Sequence, residues 1–352
     1  MTGHSRDDDR VVKRDRVLEI LEEAGADAVV LSSHAAVSWY LDGGRPGVSI
    51  AAEPVVAVRV SLDGDEVFTT SNEVGRLAAE ELPAGLTVHE RAWHEPMPAI
   101  DGLREAQVDD LLRAARVPLL PAETERFRRL GSDAAVAMTD ALSCAEPGWS
   151  ERRLAAAVAA GIVRAGADPL VVLVAGESRS AYPHPLPTTA PLGRRAMAVA
   201  CARRDGLIAD LTRWVRFGPP TRAERDAERR IRDVEAAAFD ATRPGRPLSD
   251  VLDAIHVAYP AAGFAADQWT RHHQGGAAGY NGRDPRAVPG AHDTIHLGQA
   301  FAWNPWVPGA KVEDTVLLTG DHSAPRIETL TIDPRWPTVE VAGRSRPATL
   351  ER

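Results

Sequence analysis

Apolar residues recur at helical spacing through Val17, Leu18, Ile20 and Leu21, and Gly25 follows, so the chain predicts a helix ending near Ala24. The unbroken run Ala28 to Leu31 predicts a buried strand. Further strands are expected at Val55–Val60 and Glu66–Thr70, on either side of the turn Leu62-Asp63-Gly64-Asp65. Helical spacing returns over Asn72–Glu81, and Thr87–Glu90 is a further short strand. This alternation predicts a small α/β domain over residues 17–121, closed by Val117-Pro118-Leu119-Leu120-Pro121. Residues 1–16, crowded with Asp and Arg, are expected to be disordered or frayed.

Beyond those prolines the pattern lengthens. Helices are predicted at Glu123–Ala145 and, capped by Ser150, from Glu151 to Ala165. Strands follow at Leu170–Val174, Ala196–Arg203 and Leu207–Phe217, helices at Arg222–Ala241 and Leu248–Tyr259, and strands at Ala300–Asn304 and Val312–Leu318. Paired strands and paired helices in this order predict an α+β domain over 122–342, with a C-terminal tail at 343–352, and not a doubly wound sheet.

Composition narrows the partners. At 352 residues the chain has room for two domains. Its formal charge of −9, from 41 basic and 50 acidic residues, argues against nucleic acid, which selects a clustered basic surface. Only Lys13 and Lys311 are lysines, so the positive charge is almost all arginine. Cys144 and Cys201 are too few for a disulfide framework or a cysteine zinc site and suit a reducing compartment. With no leader-like segment and no apolar run near the ~18 residues of a membrane span, a cytoplasmic protein without membrane contact is expected.

Candidate chemistry lies in four segments: Tyr182–Thr188 with His184, Asp205–Arg213 with Asp210, His272–Tyr280, and Trp303-Asn304-Pro305 followed by Glu313-Asp314-Thr315. His184 sits in a proline-bounded loop, where a side chain can face a cleft. His272 and His273 precede Gly275 and Gly276, which either admit a ligand to the backbone or make a tight turn. Asp210 and Glu313 fall inside apolar strands, where an ionised carboxylate needs a partner or a metal. Arg213, three positions after Asp210, is the obvious structural partner.

Taken in order, these segments resemble the motifs of the pita-bread family of creatinase, prolidase, aminopeptidase P and methionine aminopeptidase. The resemblance spans nearly the whole chain. Gly206-Leu207-Ile208-Ala209-Asp210-Leu211-Thr212-Arg213 is similar to the family's Gly-Tyr-x-x-Asp-x-Thr-Arg strand, and Glu313-Asp314-Thr315 to its closing Glu-x-Thr. It implies a creatinase-type N-terminal domain followed by a pita-bread catalytic domain. Metal-dependent members hold two divalent ions with Asp, Asp, His, Glu and Glu. Three of these fall on Asp210, His273 and Glu313, while the other two fall on Val199 and Asn304, and a further family histidine falls on Ala277.

Two adjacent dications need several carboxylates, so a dinuclear centre is not expected. Either no metal is bound, as in creatinase, or one ion (Mn, Co or Zn) sits on Asp210, His273 and Glu313. The leading expectation is a creatinase-like hydrolase of a C–N bond in a small amide, amidine or peptide-like molecule. In it His184 passes a proton to the leaving nitrogen, Asp210 and Glu313 hold a cationic group or orient water, and protonated His273 stabilises the oxyanion. Asn304, Gly275, Gly276, Tyr280, Trp303 and Arg283 are the expected substrate contacts. The alternatives are an Xaa-Pro aminopeptidase or dipeptidase with a mononuclear site, and a catalytically silent peptide-binding protein. The resemblance also implies a homodimer, with Tyr40, Asp42 and Arg45 placed to reach a partner's site.

Overall fold

The computed structural model describes residues 6–352. The chain divides into two compact units, one running to Arg126 with the turn Asp205–Leu207, the other formed by Phe127–Arg204 and Ile208–Arg352.

In the first unit, α1 (Arg6–Ala24) begins well before the apolar pattern does. The reason is that its inner face continues backwards as charge: Lys13 and Asp9 lie one and two turns before Val17 and are fully buried. Lys13 pairs with Asp42 at 2.6 Å and Glu123 at 2.8 Å, and Arg126 also binds Asp42, at 2.8 Å. Residues 6–16, expected to fray, are therefore helical, while residues 1–5 lie outside the described residues. β1 (Ala28–Leu31), α2 (His34–Tyr40), β2 (Val56–Ser61), β3 (Gly64–Thr70), a short α3 (Val74–Arg76) continued by a π turn at Leu77–Glu81, β4 (Thr87–Arg91), β5 (Leu103–Arg104) and α4 (Asp109–Arg116) complete the unit. Its sheet runs β4-β3-β2-β1-β5. Tyr40 and Asp42, expected to reach across to a partner, are both buried in their own unit. Tyr40 donates to Asp65 at 2.7 Å, Asp42 holds Lys13 and Arg126, and Arg45 binds Glu81 and Glu80.

α5 (Pro121–Cys144) crosses the division, and α6 (Glu151–Arg164) follows, its N-terminal Ser150 accepting from the Arg153 amide. Then come β6 (Asp168–Gly176), β7 (Arg195–Arg204), β8 (Leu207–Arg216), α7 (Arg222–Ala241) and α8 (Leu248–Ala261). The chain closes with β9 (Gly275–Ala278), β10 (Ala300–Trp303), β11 (Trp306–Val307), β12 (Ala310–Lys311), β13 (Glu313–Gly320), β14 (Pro325–Thr329), β15 (Thr338–Val341), β16 (Arg344–Pro347) and β17 (Leu350–Glu351). The main sheet runs β6-β7-β8-β13-β10-β9, with β14 on β13 and β17 on β8. α7 and α8 pack on it through Phe239, Ile255, Tyr259, Phe301 and Trp303. Residues 343–352 are no tail: β17 extends the sheet, and buried Arg346 binds Glu235 and Asp314 on the helix-covered face. Among the described residues no helix is long and apolar enough to cross a membrane.

Candidate active site

Strand alternation decides which side chains meet. β8 and β13 run antiparallel with Thr212 opposite Glu313 and Leu211 opposite Asp314. Asp210, Thr212 and Glu313 thus share one face, while Arg213 and Asp314 share the other. Arg213 accordingly pairs with Asp314 at 2.8 Å, and the expected Arg213–Asp210 pair does not form. The register is locked beside the site, where the Thr315 hydroxyl accepts from the Asp210 amide at 2.7 Å and donates to the Asp210 carbonyl at 3.1 Å.

Two cations fill the space between the carboxylates. One guanidinium, Arg283, reaches Asp210 Oδ2 at 2.7 Å and Glu313 Oε1 at 2.6 Å. Lys311 Nζ lies 3.2 Å from Glu313 Oε2, which also accepts from the Thr212 hydroxyl at 2.8 Å. Burial alone would raise Glu313, but Lys311 and then Arg283 hold it down at about 2. Asp210 moves the other way: burial raises it, Arg283 opposes, and the Glu313 charge adds to the rise. Both cations were within reach of sequence reasoning only in part. Arg283 was expected to touch substrate, and Lys311 was passed over although lysine occurs at only two positions in the chain.

Three histidines stand beside this pair. His184 Nε2 is 3.1 Å from His272 Nε2, and His272 stacks on His273 with ring centroids 4.4 Å apart. Gln274 fixes the segment by donating to the His272 carbonyl and accepting from the Tyr259 hydroxyl at 2.9 Å. Burial, then Lys311, lowers His272 to about 2; burial, then Arg283, lowers His273 to about 3; His184 is lowered by the same kinds of cause. All three are neutral near pH 7. Burial and the neighbouring Arg283 thus oppose the expected role of His273 as a protonated oxyanion donor, and Arg283 and Lys311 are the cations already present in the cavity.

His184, His273, Asp210, Glu313, Asn304 and Arg283 line one cavity of about 690 Å³, in the range of small-molecule sites. Val199 and Leu173 form its apolar wall, and Cys201 and the exposed Arg286 also line it. The remaining expected contacts do not line it. Trp303 is fully buried in the core and donates to the Thr242 hydroxyl at 3.1 Å. Tyr280 is buried away from the cavity. The two glycines serve the backbone: a Cβ on Gly275 would sit 2.1 Å from the Ala302 carbonyl oxygen, and one on Gly276 would sit 2.4 Å from that of Pro285.

Those donors do not fit a pair of ions. Val199 offers no ligand atom, Asn304 offers a neutral amide, and both remaining carboxylates already carry a cation. The one-ion set Asp210, His273 and Glu313 meets the same obstacle. His184, His272 and His273 bring ligand atoms within 4.8 Å of one another, but the charges of Lys311 and Arg283 that hold them neutral also repel a dication.

A curled sheet with acids on its inner strands and histidines in the adjoining loops, preceded by a small α/β unit, is the layout of the pita-bread hydrolases. Residues 125–320 match the model of metallopeptidase family M24, more than half of the chain. The chain belongs to that family. It is 25% identical over 313 residues to the probable dipeptidase PepE of Mycobacterium tuberculosis, covering 86% of this chain and 80% of that protein. It is 24% identical to the Xaa-Pro dipeptidase of Lactobacillus delbrueckii subsp. lactis, covering 68% of each. The crystal structure of the prolidase from Pyrococcus horikoshii OT3 superposes with a TM-score of 0.76 at 18% identity, over 92% of this chain and 99% of that one.

Proposed function

We propose that this chain hydrolyses a C–N bond in a short, peptide-like substrate of the dipeptide class. The observation that carries the reading is one cavity of about 690 Å³ whose lining brings His184 together with Arg283, Lys311 and Asn304. An amide substrate suits this lining, because His184 can move a proton and the cationic Arg283 and Lys311 offer N–H donors to a carbonyl oxygen. A cationic guanidino substrate of the creatine kind fits less well, because Arg283 already lies between Asp210 and Glu313, where its charge would bind. The names of the relatives, dipeptidase and Xaa-Pro dipeptidase, support the same choice.

Neutral His184 takes a proton from water as the oxygen attacks the carbonyl carbon, and passes it to the leaving nitrogen as the C–N bond breaks. Arg283 and Lys311 face the negative charge that develops on the carbonyl oxygen. Incubating the protein with a dipeptide panel that includes Xaa-Pro members, with and without chelator, should release free amino acids, and His184→Ala should abolish that release. Binding of dipeptides without any release would replace this reading by that of a silent peptide-binding protein.

A further inference from the structure

We infer that Arg283 and Lys311 are the resident cations of this site: they carry the charge that a pair of metal ions carries in metal-dependent members, and they close the carboxylates to divalent metal. The inference rests on the metal-independent reading above and goes beyond it by naming the groups that replace the ions. Its basis is charge and position together. Five ligands of the kind Asp, Asp, His, Glu and Glu supply four carboxylates against two dications. In this chain two of those carboxylates are absent, and two monocations face the two that remain, so the site stays neutral with its own side chains.

The geometry is that of a bridge. The two terminal nitrogens of one guanidinium each take a different carboxylate, and Lys311 takes the second oxygen of Glu313. All four side chains are at most 10% exposed, so solvent does not dilute their interaction. An ion bound to Glu313, both of whose oxygens are engaged, would have to displace a cation held at 2.6 or 3.2 Å and leave it buried, and an ion on the second oxygen of Asp210 would lie against the Arg283 charge.

Neither cation hangs on a free loop. The segment bearing Arg283 is stitched to β9 by Asp284 N–H to the Ala277 carbonyl, Ala277 N–H to that of Pro285, and Ala287 N–H to that of Gly275, at 2.9–3.1 Å. Lys311 sits in the β11–β12 hairpin, where its carbonyl accepts from the Trp214 indole at 2.9 Å.

The test is metal binding, which needs no turnover and so separates this inference from the proposed reaction. Full-length protein stripped with chelator is titrated with Mn²⁺, Co²⁺ or Zn²⁺ by calorimetry, with Co²⁺ absorption as a second readout. Wild type and Arg283→Lys should show no site. The double variant R283A/K311A should bind one ion at least about 100-fold more tightly than wild type, and adding Asp210→Asn should remove that site. Wild-type binding of an ion that is lost in Asp210→Asn or Glu313→Gln overturns the inference, and this arm does not depend on the double variant folding. Wild-type binding lost in His272→Ala also overturns it, because an ion would then sit within the field of both cations.

Discussion

Replacing Glu313 by glutamine keeps the shape of the side chain and removes its charge, leaving Arg283 with Asp210 alone and taking from Lys311 its carboxylate. The wild-type carboxyl lies at about 2 in the folded protein against an ordinary value of 4.5. A difference of that size corresponds to ~3 kcal/mol of folded-state stabilisation near pH 7. The sign follows from the lowered value: the stabilisation is complete above the unfolded value, from about pH 5.5 upward, and is lost as pH falls through the folded value near 2. At pH 3 less than half of it remains. For a unit of this size 1 kcal/mol moves the melting temperature by about 2–4 °C. Scanning calorimetry at pH 7 should therefore place Glu313→Gln about 6–12 °C below wild type, and the gap should narrow by more than half at pH 3. A gap that is absent at pH 7, or equally wide at both pH values, would refute the claim that Glu313 is ionised and held by these two cations.

Other expectations are local. Lys13→Met leaves Asp42 and Glu123 buried without their shared ammonium and should cost about 3–5 kcal/mol by denaturation. Gly275→Ala drives a methyl to 2.1 Å from the Ala302 oxygen at a φ of +109°, so soluble yield should collapse, whereas Gly279→Ala, with nothing within 4 Å, should fold normally. Trp303→Ala empties a fully buried site and should lose ~3–5 kcal/mol; Tyr182→Ala, at 56% exposed, should stay within about 0.5 kcal/mol. His184→Ala should lower turnover of any cleaved dipeptide by about 10²–10⁴-fold without lowering the melting temperature, a split that a purely structural histidine would not give.

The physical pattern of the chain determined a good deal by itself. Apolar runs of strand length marked β1, β7, β8 and β13, and a helix was marked at α7, because each of these is set by neighbours close in sequence. Motif order, which is also linear, brings His184, Asp210, His273 and Glu313 together as candidates, and they line one cavity. The start of α1 was hidden because its inner face is made of Asp9 and Lys13, polar residues that a hydrophobic pattern reads as solvent-facing.

What only the tertiary structure decided is who pairs with whom. Asp210 and Arg213 are close in sequence, yet in a strand they stand on opposite faces, so Asp210 takes its partner from Arg283, 73 residues away, and Arg213 takes Asp314. Both lysines of this arginine-rich chain prove to be buried in ion pairs, Lys13 in one unit and Lys311 in the other. Long-range charge pairing depends on strand register and loop path, which no local pattern encodes. That pairing turns a site recognisable by its missing ligands into one that is neutral with its own side chains.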